Sequence, residues 1–130
     1  MDIIGNHSDH PLVSVIIPAH NADRFIDKTL DSVICQTYRN IEVLVVDDGS
    51  HDQTAEIVES MSHQDHRIYL FHQDHSGVAA ARNAAIRQSK GQLIAPIDAD
   101  DVWHPQNLEK QVLCMLKAGP SVGLVYSWSA

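Results

Sequence analysis

Three short runs hold the side chains whose presence packing alone does not explain: Pro18-Ala19-His20-Asn21, Asp47-Asp48-Gly49-Ser50 and Asp98-Ala99-Asp100-Asp101. Asp98 and Asp100 stand two residues apart. On extended backbone that spacing turns both carboxylates to one side, where they can face a single cation. Carboxylates crowded on one rim repel each other and resist joint ionisation unless a cation joins them. Hard carboxylate oxygens suit Mg2+ or Mn2+, ions that complete their shells with water and phosphate oxygens. The plainer role of a polar residue after a strand is to cap a helix, and Ser50 and Asp52 both stand where a cap would. A lone D-x-D carries little weight; two acidic turns on one rim carry more.

Charge limits what such a rim can meet. The chain has 130 residues and a net charge of −8, with 44% hydrophobic and 20% charged residues, which describes a folded domain with a real core. Its Lys and Arg residues are scattered singly, so DNA and RNA are excluded as partners. An anionic ligand binds an acidic protein only where a cation or backbone donors reverse the local field. Cys35 and Cys114 are far apart, form no C-x-x-C pair and sit among apolar residues, so both are expected to be buried and reduced. Among the nine histidines, His63, His66, His72 and His75 are the densest group. They bracket a strand instead of following helical metal spacing, and read as solvated loop residues, not a structural zinc site. Trp103 and Trp128 read as packing residues.

The elements that must position the three runs alternate. Apolar β-branched runs at Val13–Ile17, Ile41–Val46, Ile68–Phe71, Leu93–Ile97 and Val122–Tyr126 read as five strands, the fourth interrupted by Pro96. Asn21 is expected to cap a helix carrying Phe25, Ile26, Leu30, Val33 and Ile34 on one face. Ser50 with Gln53 reads as a capping box opening a helix to Ser62, with Ile57, Val58 and Met61 inward. An alanine-rich helix spans Val78–Ser89 and closes at Gly91. A last helix starts with Pro105, runs to Lys117 and stops at Gly119-Pro120. The fold class is therefore α/β: a mostly parallel, Rossmann-like sheet with helices on both faces. Residues 1–11 read as a flexible lead-in and 12–130 as one ligand-binding part cut from a longer domain. In such sheets ligands bind beyond the carboxyl ends of the strands, which is where all three runs fall. Neither a signal peptide nor a membrane-length apolar run is evident, which sets a cytoplasmic location as the expectation. Peripheral attachment at the inner face of a membrane would come from sequence outside this chain.

Four segments in order, V-S-V-I-I-P-A-H-N (13–21), V-L-V-V-D-D-G-S (43–50), G-V-A-A-A-R-N (77–83) and A-P-I-D-A-D-D-V-W-H-P (95–105), resemble the motifs of glycosyltransferase family 2. The resemblance covers about residues 11–128 and implies a GT-A fold that binds a nucleoside diphosphate sugar, usually a UDP-sugar. By that resemblance Pro18 and Ala19 line the nucleoside pocket, and His20, where the family often has Tyr, lies against the base. Asp48 accepts from the uracil ring, Asp47 supports that turn and Arg82 approaches the nucleotide. Asn21 and Ala99 count among the nucleotide-sugar-binding residues. Asp98 reaches the ribose and shares with Asp100 the Mn2+ or Mg2+ that bridges the diphosphate, with Asp101 behind them. The implied activity is inverting sugar transfer to the hydroxyl of a glycan, lipid or protein acceptor, as in polysaccharide biosynthesis. The general base is expected beyond residue 130, so this stretch alone is expected to bind donor without transferring sugar efficiently.

Rival readings fit less well. Strand one is followed by no G-x-G-x-x-G, against a dehydrogenase. The same turn lacks the glycines and basic residues of a sugar-nucleotide pyrophosphorylase or other nucleotidyltransferase. A receiver domain needs acids after strand one, and here the acidic pair follows strand two. A member that binds donor without catalysis remains the alternative.

Overall fold

The computed structural model describes residues 10–118. The strand expected at 122–126 and Trp128 lie outside them, as does most of the expected lead-in. Four strands, β1 (Val13–Ala19), β2 (Ile41–Asp48), β3 (Ile68–Gln73) and β4 (Leu93–Pro96), alternate with four helices, α1 (Ile26–Ile34), α2 (Thr54–Gln64), α3 (Val78–Gln88) and α4 (Asn107–Ala118). The sheet order is β3-β2-β1-β4 and every pair is parallel. No helix among the described residues is long and apolar enough to cross a membrane.

Every residue of β1 and β2 is buried, which is why both read as unbroken apolar runs instead of alternating ones. Val13, Val15, Ile17, Val43 and Val45 pack with Ile26, Leu30 and Val33 of α1, Val58 of α2, and Leu108 and Val112 of α4. On the opposite face Ile16, Leu44 and Val46 meet Ala81 and Ala85 of α3. Pro96 lies opposite Ile16 at the end of β4, and pairing resumes through the Ile97 N–H to the Ile16 carbonyl at 3.0 Å. A proline is tolerated there because β4 pairs on one side only among the described residues.

Several expected boundaries move for local reasons. Asn21 does not cap α1; it adopts a left-handed φ of 50°, and the helix starts at Ile26. Phe25 consequently sits before the helix, 49% exposed instead of inward. At α2 the N-cap position is Gln53, which makes no side-chain cap bond, so Ser50 and Gln53 form no capping box; the Asp52 carboxylate instead accepts from the Thr54 N–H (2.9 Å) and Thr54 hydroxyl (2.5 Å). Gly91 does not close α3, which ends at Gln88. It allows a close approach: its N–H donates to Ser14 Oγ at 2.8 Å, and a Cβ there would lie 2.7 Å from the Leu12 carbonyl. Pro105 precedes α4 by two residues, its carbonyl accepting from the Thr37 N–H. Both cysteines are exposed, not buried: Cys35 follows the last residue of α1, and Cys114 lies on the outer side of α4.

At the end of the sheet away from the three runs, Arg67 ties the start of β3 to its surroundings. It donates to both Asp65 oxygens (3.0 and 2.8 Å) and to the carbonyls of Ile34 and Arg39. The Arg67 hydrogen bond holds the Asp65 carboxyl at about 2, against 3.8 ordinarily. A carboxyl lowered by folding adds stability above its unfolded value, and that contribution disappears as pH falls through the folded one. Denaturation followed by circular dichroism should therefore show stability falling between pH 3.8 and about 2. An Asp65→Asn variant should start less stable at neutral pH and fall less over that window. An unchanged acid slope would count against the pairing.

Candidate functional site

Register brings the three runs to one rim. Ala19 pairs with Asp47 and Asp48 pairs with Gln73, so His20, Asp48 and His75 lie at or just beyond three neighbouring strand ends. Pro96 is level with Ile16, and the backbone continues past it to Asp98 and Asp100. Pro18 and Ala19 are buried within β1, while His20 and Asn21 are exposed just beyond it.

The loops after β1 and β2 are bonded to each other. The Asn21 N–H donates to Ser50 Oγ (2.9 Å), and the His51 N–H returns to Asn21 Oδ1 (2.8 Å). The Ala22 N–H donates to Thr54 Oγ1 (2.8 Å), and the Asp23 N–H to Asp52 Oδ2 (3.1 Å). Burial pushes the Asp52 carboxyl up, but these donors outweigh it and hold the group below the ordinary carboxylate value.

Asp48 is only 3% exposed. Its Oδ1 accepts from Gln73 Nε2 (2.8 Å) and the Ser76 N–H (2.8 Å), and its Oδ2 from the Gly77 N–H (3.0 Å), with His75 Nδ1 also 3.0 Å away. Burial raises its carboxyl, yet the hydrogen bonds and His75 prevail and hold it below the usual range. In this structure both oxygens are thus committed to the loop leading into α3. The Asp48 carbonyl receives His20 Nδ1 at 2.8 Å and His75 Nδ1 at 3.2 Å, and the two imidazoles stack with centroids 4.2 Å apart. Asp47 accepts from the Ser50 N–H at 3.2 Å and lies 3.5 Å from His72 Nδ1.

The acids of the third run form a separate group. Asp98, Asp100 and Asp101 each bring a carboxylate oxygen within 4.8 Å of the others. Asp98 and Asp100 are exposed with buried Ala99 between them; the expected extended backbone is replaced by a turn, closed by the Asp101 N–H on the Asp98 carbonyl at 3.1 Å. Asp98 is bonded by Arg82 of α3 at 3.1 Å, whereas Asp100 has no hydrogen-bond partner among the described residues. An all-oxygen donor set with one unengaged carboxylate fits a hard divalent cation. The five acids do not merge into one cluster, because Asp47 and Asp48 are held at the end of β2.

One row of polar residues on and just after α1 holds this acidic loop, and sequence reading missed it. Thr29 Oγ1 donates to the Ala99 carbonyl (2.8 Å), and Ser32 Oγ accepts from the Trp103 N–H (3.1 Å). Gln36 Nε2 donates to the His104 carbonyl (2.7 Å), and its Oε1 accepts from the Leu108 N–H (2.9 Å). The signal was present: Thr29, Ser32 and Gln36 recur at i, i+3 and i+7, one helical face. Gln73 and His75 were also missed as partners of Asp48, since nothing local joins them to it.

A family model described as "Glycosyl transferase family 2" matches residues 14–129. The chain is 44% identical over 110 residues to the Escherichia coli protein named UDP-Glc:alpha-D-GlcNAc-diphosphoundecaprenol beta-1,3-glucosyltransferase WfgD, covering 84% of this chain and 43% of WfgD. Mannosyltransferase PcManGT from Pyrobaculum calidifontis, solved with GDP-Man and Mn2+, superposes with a TM-score of 0.79 at 31% identity over 87% of this chain and 34% of its own. S. aureus TarS 1-349, solved with UDP, gives 0.75 at 30% identity over 81% and 32%. The chain spans less than half the length of the curated relatives it matches.

Proposed function

The chain belongs to glycosyl transferase family 2, and from that membership we propose that it forms the donor-binding part of an enzyme that moves a sugar from a UDP-sugar to an acceptor hydroxyl. The observation that carries this reading is the pairing, on one sheet rim, of the clustered Asp98, Asp100 and Asp101 carboxylates with preformed loops after β1 and β2. The solved neighbours with UDP or with GDP-Man and Mn2+ support it.

In this reading His20, Pro18, Ala19 and Asn21 receive the nucleoside, with Asp47 and Asp48 shaping the turn beside them. Asp98 and Asp100 hold a divalent cation, Mn2+ or Mg2+, and Asp101 closes the third side. When bound, the cation neutralises the diphosphate and stabilises the departing UDP. Arg82 holds Asp98 in place and presents its remaining donors to the nucleotide; Ala99 fixes the loop through Thr29. The acceptor is a glycan, lipid or protein hydroxyl that attacks from the face opposite the diphosphate, giving inversion. Its proton passes to an Asp or Glu supplied from beyond residue 130.

Calorimetry of UDP with the chain tests this. Binding is expected in MnCl2 and is expected to weaken at least about tenfold in EDTA, or about 1.4 kcal/mol. Equal affinity in both would overturn the cation's part, and no binding in either would overturn the donor assignment.

A further inference from the structure

A second constellation of ligand atoms lies apart from the acidic loop. His20, Asp48 and His75 bring ring nitrogens and a carboxylate oxygen within 4.8 Å of one another. They come from three chain segments, after β1, at the end of β2 and after β3. Both imidazoles turn Nδ1 toward the Asp48 carbonyl, at 2.8 and 3.2 Å, and His75 Nδ1 is 3.0 Å from Asp48 Oδ2. A tetrahedral ion with bonds near 2.0–2.1 Å separates its ligands by about 3.3 Å, so the rings must turn away from the Asp48 carbonyl and draw closer to form a coordination shell.

The donor types differ from those of the other group. Two imidazoles and one carboxylate favour a borderline ion such as Zn2+, while the three carboxylates of the acidic loop favour Mg2+ or Mn2+. The carboxylate is well prepared for the task, being ionised and fixed by Gln73, Ser76 and Gly77. Both histidines are exposed, so an ion can enter and a fourth position stays open to water. Gly49 permits the closeness: it has φ +70°, and a Cβ there would lie 2.9 Å from the His75 backbone nitrogen.

We propose that His20, Asp48 and His75 form a site for a nitrogen-ligated divalent transition metal, with Zn2+ as its representative, and that occupation of this site competes with the nucleoside. The metal site stands on the residues above; the competition rests on the placement of the nucleoside against His20 in the proposed function. Binding requires neutral imidazoles carrying the proton on Nε2 in place of Nδ1.

The test is calorimetric titration of ZnCl2 into the chain free of any histidine tag, with saturating MgCl2 present to occupy the acidic loop. One Zn2+ per chain is expected, weakened at least about tenfold by His20→Ala and by His75→Ala. His63→Ala should leave it unchanged. His75→Gln keeps a donor toward Asp48 and separates loss of a ligand from damage to the loop; it should weaken Zn2+ as His75→Ala does. Zn2+ affinity equal to the parent's in a His20→Ala, His75→Ala double variant overturns the site, as does a Zn2+ response that vanishes with Asp100→Ala. UDP added in MgCl2 should lower the apparent Zn2+ affinity. If Zn2+ binds at the histidines and UDP binds without affecting it, the competition is overturned. If UDP binds while Zn2+ ignores the histidines, the metal proposal falls and the donor reading stands.

Discussion

Replacing Asp100 with Ala should remove the cation-dependent part of UDP binding, a loss on the order of 100-fold, or about 2.7 kcal/mol. The size follows from the field around the site. Asp100 is exposed and engages no partner among the described residues, whereas Asp98 is already bonded by Arg82. Asp100 is therefore the carboxylate with most to offer an incoming ion. Without the ion, a diphosphate meets two remaining acids on a chain of net charge −8. The same exposure dictates the effect on stability. Removing one of three neighbouring carboxylates relieves repulsion and disturbs no buried contact, so the metal-free variant should melt at or above the parent's temperature. A clear drop in melting temperature without metal would make Asp100 a structural residue and withdraw it from the site. Titrations of UDP in MnCl2 and in EDTA, alongside thermal melts in EDTA, read both halves.

Asp48→Asn should produce the larger stability loss, about 2–3 kcal/mol by urea denaturation, because buried donors are left facing a donor. The carboxylate serves the Ser76 and Gly77 N–H groups and Gln73 Nε2, with His75 Nδ1 close by. An amide offers one acceptor oxygen; its NH2 group must face either the Gly77 side or the Gln73 side. The loop from Gln73 to Gly77 should loosen, and with it the N-terminus of α3. Binding adds an independent reading. If the carboxylate also accepts from the uracil ring, the preference for UDP over CDP should shrink in the variant, since cytosine has no proton at that nitrogen. A stability loss with an unchanged UDP to CDP ratio assigns Asp48 to the loop alone. No loss of stability would contradict the hydrogen-bond arrangement itself.

These two aspartates show what could be read in the residues alone. Asp98 and Asp100 were readable as neighbours because their relation is local, although the backbone there turns, with the Asp101 N–H on the Asp98 carbonyl, instead of running extended. The parallel sheet was readable for a similar reason, since β1 and β2 are buried on both faces and must be apolar throughout. The surroundings of Asp48 were not readable. Its partners lie 25 to 29 residues away and reach it only because β3 pairs beside β2. The same holds for the His20–His75 stack, which no spacing rule signals. Asn21 misled because Asn is a good helix cap and also one of the few residues that tolerates a left-handed φ; here the second property prevailed. Cys114 misled because α4 carries more apolar residues than its inward stripe uses, and Cys35 because the apolar face of α1 stops one residue before it. Leu113 and Leu116 are 52% and 42% exposed and Cys114 is exposed as well, so apolar neighbours did not mean burial.

The cross-bonding of the loops after β1 and β2 has a consequence for how ligand encounters proceed. Asn21, Ser50, His51, Asp23, Asp52 and Thr54 exchange bonds between the two loops, so each loop's freedom is lost when the chain folds. A nucleoside docking there meets a surface that is already ordered and pays little conformational entropy on arrival. The acidic loop is anchored through backbone atoms of Ala99, Trp103 and His104, while its Asp100 side chain is left to rotate. Ordering is thus concentrated at the diphosphate end of the ligand. If UDP binds as proposed, stopped-flow mixing should then resolve a fast fit at the base followed by a slower tightening whose rate follows the cation concentration.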